Sequence, residues 1–315
     1  MIAYLDFEKP IAELQTRIAE LRETADGGPA NIDAEIRKLE LKADRLLRDT
    51  YGKLTPWQKT QVARHQQRPH FKDYIARLVD DFLPLSGDRA FSDDQAIIGG
   101  FGRMNGRRVM VIGHEKGNDT ASRLKHNFGM GKPEGYRKAV RLMQLADRFG
   151  ISVVTIVDTA GAFPGIEAEE RGQAEAIARS TQATLELTVP VVAAIVGEGG
   201  SGGAVGLAAA NRVLMFEHAI YSVITPEGCA SILWRTAEKA PEAAEAMRIT
   251  ADDVHRLGII DTVVPEPVGG AHRSPDAAID TLGLAINSAL DELSSMDGQA
   301  LRADRRRKFL AMGAS

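Results

Sequence analysis

Cysteine is almost missing. Cys229 is the only one in 315 residues, so the chain can close no disulfide on itself and can build no multi-cysteine zinc site of its own. An excess of positive charge is missing too. Lys and Arg number 39 against 43 Asp and Glu, a formal net charge of -4, and no global basic field exists of the kind that holds nucleic acid. Long apolar runs are also missing. Stretches such as "VPVVAAIV" are broken by glycine or charge well before the roughly 20 residues that a membrane span needs. No cationic leader with an apolar core precedes Leu5, and the sequence reads as a cytoplasmic protein. No lysine-serine or lysine-threonine pair follows the glycine runs, and "GEGGSGG" lacks the dinucleotide spacing, so a nucleotide fold is not expected.

What is present suffices for a full core. Of the residues, 44% are hydrophobic, and a chain of this length buries roughly 75% of its unfolded surface. Ile11, Leu14, Ile18 and Leu21 recur at helical spacing, and after the break "DGGP" so do Ile32, Ile36, Leu39, Ala43 and Leu46, which predicts a helical hairpin. Thr55-Pro56 and Arg68-Pro69 read as helix starts with proline at the first helical position. Residues 1–85 are therefore expected to form a mostly helical arm for packing or subunit contact, without a chemical site.

From residue 86 the pattern changes. "QAIIGGFGRMNGRRVMVIGHEKG" predicts two strands joined through Asn105-Gly106, a dipeptide that readily takes positive φ. Pro133 to Phe149 reads as an amphipathic helix with Tyr136, Val140, Met143 and Ala146 on one face and Gly150 as its stop. Then strand, glycine loop and helix occur twice in tandem. "ISVVTIV" leads through "DTAGAFPG" to a long helix from about Glu167 to Leu187. "VPVVAAIV", too apolar to face water on either side, leads through "GEGGSGG" to a helix beginning "AVGLAAA". A mostly parallel α/β sheet flanked by helices is the expected architecture, with ligands gathering at the carboxyl ends of the strands. We expect the core to span 86–265 and a C-terminal helical segment to span 266–315.

Both glycine stretches lie at such ends. Glycine lets a ligand approach the backbone, and free N–H groups at a helix start point towards negative charge. "SGGA" at Ser201 to Ala204 thus offers amides to an oxyanion, although tight packing of a helix on a sheet also demands small residues. Gly161 to Gly165 could equally be a plain turn. Gly199 to Gly203 also satisfies G-x-S-x-G, so a serine hydrolase using Ser201 stays open, with His255 or His272 as base and Asp261 or Asp252 as orienter. Cys229 reads as a packing thiol on a helix. His114, His126 and His218 lack the paired spacing that metals favour. The stretch "HEKGNDTASRLKHNFGMGK" carries Lys116, Arg123, Lys125, His126 and Lys132 and reads either as a site for a phosphate or partner domain or as a solvated loop.

Taken together, "NFGMGKPEGYRKAVRLMQLADRFG", "DTAGAFPG", "AEERGQAEAIAR", "GEGGSGGA", "YSVITPEGCASILW", "KAPEAAEAM" and "PEPVGGAHR" closely resemble the alpha-subunit family of bacterial acetyl-coenzyme A carboxylase carboxyltransferases. The resemblance spans nearly the whole chain and is densest from Gly113 to Arg273. It implies a crotonase-like (ClpP/crotonase) spiral of ββα units. It also implies an α2β2 assembly in which the beta subunit carries a zinc ribbon and most of the acetyl-coenzyme A site. Carboxybiotin would arrive on a biotin carboxyl carrier protein, loaded by an ATP-using biotin carboxylase, and malonyl-coenzyme A would be the product for fatty acid synthesis. A propionyl-coenzyme A carboxyltransferase subunit is the near alternative. Carried over by motif position, Gly202 and Gly203 present N–H groups to the biotin ureido oxygen, each donor worth about 3 kcal/mol. Gly161, Ala162, Phe163, Pro164 and Gly165, with Gly199, Gly200 and Ser201, line the biotin pocket. The family more often reads "DTPGAYPG", where this chain has Ala160 and Phe163, and more often has proline and alanine where this chain has Gly131-Lys132.

Overall fold

The computed structural model describes residues 3–24 and 31–313. Asn105 and Gly106 take φ values of 48° and 75°, which folds strand β2 (Ile97–Met104) back on β3 (Arg107–His114) as an antiparallel hairpin. An edge strand, β1 (Asp80–Pro84), pairs antiparallel with β2 and lies inside the stretch expected to be mostly helical. From β3 onward every pairing is parallel: β4 (Ser152–Thr159), β5 (Val191–Gly200), β6 (Arg212–Phe216) and β8 (Thr262–Val264), with β7 (Ile220–Ser222) beside the last residues of β5. The result is a mixed eight-stranded sheet in the order β1-β2-β3-β4-β5-β6-β8. Every residue of β5 is buried, and its apolar run Val191–Val196 is what a strand covered on both faces requires.

The N-terminal hairpin forms as expected. Helices α1 (Lys9–Thr24) and α2 (Asn31–Tyr51) bury Ile18, Ile36 and Ala43 between them, with Leu14, Leu21, Ile32 and Leu39 alongside. The "DGGP" break falls outside the described residues. Thr55 caps α3 (Pro56–Ala63), its hydroxyl accepting from the Gln58 N–H. Arg68-Pro69 does not start a helix. Arg68 turns inward, where its guanidinium meets both Glu266 carboxylate oxygens at 2.8 Å and donates to the Val196 carbonyl at 2.7 Å. The chain therefore re-enters a helix only at Phe71, and α4 (Phe71–Leu78) opens with the Asp73 carboxylate accepting from the His70 N–H.

A short helix, α5 (Thr120–Lys125), crosses the basic stretch. Helix α6 (Pro133–Arg148) buries Tyr136, Ala139, Leu142, Met143 and Ala146, and Gly150 ends it with φ 63°. The helix expected from Glu167 to Leu187 is two helices, α7 (Ile166–Glu170) and α8 (Gln173–Glu186). Gly172 sits between them at φ 80°, ψ 51°, a left-handed conformation that breaks the helical path. Helices α9 (Ser201–Ala208), α10 (Pro226–Trp234), α11 (Ala240–Met247) and α12 (Ala251–Arg256) follow. Helices α13 (Pro275–Leu293) and α14 (Gly298–Ala311) come next, with Leu282, Ile286, Leu290, Leu293 and Leu301 in the main core.

Candidate active site

The second glycine stretch is not a loop. Gly197, Glu198, Gly199 and Gly200 finish β5, pairing there with β7 and, at Gly199, with Thr159 of β4; α9 begins at the next residue. Closely approaching backbone explains two of the glycines. A side chain on Gly200 would overlap the Ala160 carbonyl, and one on Gly203 would come within 2.6 Å of the Gly161 carbonyl carbon and 2.8 Å of Ala162 N. Gly202 differs, because a methyl there would make only ordinary contact with Ile177 at 3.4 Å. Its lack of a side chain is not a packing need of the chain. No side chain caps α9, and the first turn of a helix leaves its N–H groups without intrahelical acceptors. The amides of Ser201, Gly202 and Gly203 thus stand at the carboxyl end of β5, at the positive end of a helix dipole.

Facing them is the turn after β4. The Thr159 hydroxyl donates to the Gly161 carbonyl at 2.7 Å and accepts from the Gly161 N–H at 3.1 Å. Gly161 has φ 154°, and a side chain there would point into open space. Ala162 is half-buried and Pro164 exposed. The Phe163 N–H donates to the Gly131 carbonyl at 3.0 Å, and the Gln173 amide donates to the carbonyls of both Gly131 and Phe163. The Phe163 ring fills the space where a Gly165 side chain would stand and carries the Lys132 ammonium 5.0 Å above it. Gly131 also keeps Ile97 and Tyr136 close, since a side chain on it would lie 2.8 Å from Ile97 Cδ1.

Beneath this edge lies an ion cluster that sequence reasoning missed. Lys116 Nζ lies 2.7 Å from Asp158 Oδ1 and 3.0 Å from Glu198 Oε2. Arg64 Nε donates to Glu198 Oε1 at 2.7 Å, and its other end pairs with Glu227 at 2.5 Å. Burial alone would raise the Glu198 pKa, but Lys116 and Arg64 outweigh it and hold the carboxyl at about 2. Burial would likewise lower Lys116, yet Asp158 and Glu198 drive it above its ordinary value. A pocket of about 290 Å³ opens beside the cluster, lined by Arg64, His65, His70, Lys116, Arg123 and Ala160 among others. Both nitrogens of the buried His70 ring lack a hydrogen-bond partner. The supposedly chemistry-free arm thus supplies part of this wall. The run "RHQQRPH", with two arginines and two histidines in seven residues, was the available signal.

The basic stretch is neither a bare loop nor uniformly solvated. His114 and His126 are buried, Lys116 belongs to the ion cluster, and Lys132 pairs with Glu167 at 2.5 Å, while Lys125 is exposed.

The hydrolase reading loses its base. Ser201 does adopt φ 51°, the strained conformation of a nucleophile elbow. None of the expected partners, however, is hydrogen-bonded to it. His255 is exposed on α12, and His272 is buried against His65 with ring centroids 3.9 Å apart. Asp252 pairs with Lys59 at 3.1 Å, and Asp261 pairs with Lys308 at 2.8 Å. Cys229 is only partly buried on α10. Among the described residues no three His, Cys, Asp or Glu side chains group as a metal site.

The model of the acetyl co-enzyme A carboxylase carboxyltransferase-like family matches residues 4–313. This chain belongs to that family. Among its relatives, the acetyl-coenzyme A carboxylase carboxyl transferase subunit alpha of Rhizorhabdus wittichii is 72% identical over 313 residues, covering 99% of this chain and 100% of the relative. The protein of the same name from Zymomonas mobilis is 67% identical over the same length. Solved structures share the fold at low identity. Transcarboxylase 12S, solved with hydrolysed methylmalonyl-coenzyme A, superposes with TM-score 0.60 at 23% identity, covering 72% of this chain and 42% of its own. A Pseudomonas malonate decarboxylase hetero-tetramer chain gives 0.56 at 16% identity, covering 67% of this chain and 84% of its own. The architecture is the crotonase-like one of these structures, and the family's chemistry is biotin-linked and uses acyl-coenzyme A.

Proposed function

We propose that this chain is the alpha subunit of an acetyl-coenzyme A carboxylase carboxyltransferase, the half that receives the biotin side of the reaction. The observation that carries the reading is the set of unpaired first-turn amides at Gly202 and Gly203, set against the Gly161 turn. Biotin, when bound, supplies the carboxyl group that is transferred. The chain's own part is electrostatic: the two N–H groups donate to a ureido oxygen as negative charge grows on it, each worth about 3 kcal/mol in a preorganised site. Gly161 to Gly165 and Gly199 to Ser201 shape the walls. Among the described residues no histidine or carboxylate is hydrogen-bonded to Ser201, and the nearby Asp158 and Glu198 are held in ion pairs, so no protein base is assigned to this edge.

The partners follow from what one subunit leaves undone. A beta subunit in an α2β2 assembly supplies most of the acetyl-coenzyme A site and, as the family resemblance implies, carries the zinc ribbon, in keeping with the single cysteine of this chain. A biotin carboxyl carrier protein and a biotin carboxylase complete a cytoplasmic system that makes malonyl-coenzyme A. The test is malonyl-coenzyme A decarboxylation with free biotin, using the purified chain mixed with its beta partner. Activity is expected only in the complex, with Gly203→Val abolishing it and Ser201→Ala reducing it mildly. Activity in the isolated chain that disappears with Ser201→Ala would instead establish a hydrolase.

A further inference from the structure

Strands β4 and β5 fall out of step just before the glycine edge. Val157 lies opposite Ile195, but Thr159 lies opposite Gly199, so β5 takes four steps where β4 takes two. Such a bulge interrupts backbone pairing and re-aims the strand end. Here a side chain restores the missing link: Asp158 Oδ1 accepts from the Glu198 N–H at 2.8 Å. Gly197 makes room for that carboxylate, which occupies the place of its absent side chain. Lys116 then bridges Asp158 and Glu198, and Arg64 holds the far oxygen of Glu198.

Burying two carboxylates and an ammonium is costly unless their geometry is well defined, and regular pairing of apolar strands would have avoided it. The cluster sits where its geometry matters most. Asp158 is three residues before Gly161, and Glu198 is five before Gly203. We propose that Lys116, Asp158 and Glu198 are positioning residues that fix the spacing between the Gly161 turn and the Gly202–Gly203 amides. The inference rests on those amides being the biotin-side donors. The role assigned to the three side chains is exerted through the ends of β4 and β5, where Asp158 Oδ1 accepts from the Glu198 N–H.

The test uses the assembled complex with the beta partner, carrying Lys116→Met or Asp158→Asn, and free biotin with malonyl-coenzyme A as substrates. A shift of about 1 Å in a reacting geometry costs up to roughly 100-fold, so kcat should fall roughly 10- to 100-fold. KM for biotin should rise while KM for malonyl-coenzyme A stays unchanged, and Lys116→Arg should recover much of the loss. A purely structural role would lower the yield of complex without this split between the two substrates. Should Lys116→Met not assemble, Glu198→Gln, which keeps shape and removes charge, takes its place. Normal kcat and normal biotin KM in folded variants overturn the proposal. Gly203→Val in parallel separates the two ideas: if it abolishes transfer while the cluster variants behave normally, only the cluster role fails, and if it too is active, the amide reading fails.

Discussion

Glycines a residue apart serve different ends at the carboxyl edge of β5. Gly203 has no room for a side chain because the Gly161–Ala162 backbone is there, whereas Gly202 has room for a methyl against Ile177. Gly202→Ala should therefore fold with a melting temperature close to that of the parent, while Gly203→Ala must push the two backbones apart and lose carboxyl transfer. Equal thermal stability and activity for both variants would contradict this distinction. Buried histidines make a second prediction at this scale. Burial lowers His114 to about 4 and His272 to about 3, so each stays neutral in the folded chain while the unfolded chain protonates it near 6.5. Their stability contribution is full above pH 6.5 and is lost as pH falls towards those values. Asp94 works the other way, since burial raises it to about 6 and favours the fold as that carboxyl takes up its proton. His65 and His218, which burial also lowers, act with His114 and His272, so the histidines outweigh Asp94 and the fold loses stability as pH falls from about 6 to about 4. Below about 4.5, Glu198 and Glu266, each held near 2, add to it. Urea midpoints at pH 7.5, 6 and 5 measure the slope; His114→Gln should make it shallower, and a flat profile would contradict the account.

Among the elements, those set by neighbouring residues were legible in the sequence. Asn105-Gly106 encodes its own hairpin because both residues tolerate positive φ, and Thr55-Pro56 encodes its own helix start. Elements set by distant partners were not. Arg68-Pro69 has the local marks of a helix start, but Arg68 answers to Glu266, 198 residues away. "GEGG" looks like a loop, yet pairing with β7 and contact with β4 keep it a strand. The break between α7 and α8 was written as Gly172, a signal that the regular apolar spacing on either side outweighed. Its left-handed φ of 80° gives a clean check, because a side chain there would meet only Glu175 Cβ at 4.0 Å. Gly172→Ala should cost about 1–2 kcal/mol through backbone strain alone, read as a lower urea midpoint with an unchanged slope. A stability equal to the parent's would mean that the α7–α8 junction is not held in this conformation.

For the molecule as a whole, the glycine half of the candidate site was legible and the charged half was not. The glycines are contiguous in sequence and lie at strand ends, where α/β sheets gather ligands. Arg64, His65, His70, Lys116, Asp158 and Glu198 come from four separate segments, and only the sheet brings them together. A site shared with a partner subunit, as proposed, would also account for first-turn amides that have no base hydrogen-bonded beside them. The isolated chain is accordingly expected to be inactive and to gain activity on titration with the beta subunit, with saturation at equal amounts of the two. The most direct measurement is the crystal structure of that complex with biotin bound. The account predicts the ureido oxygen about 3 Å from the Gly202 or Gly203 nitrogen; biotin seated elsewhere, with those amides facing solvent, would contradict it.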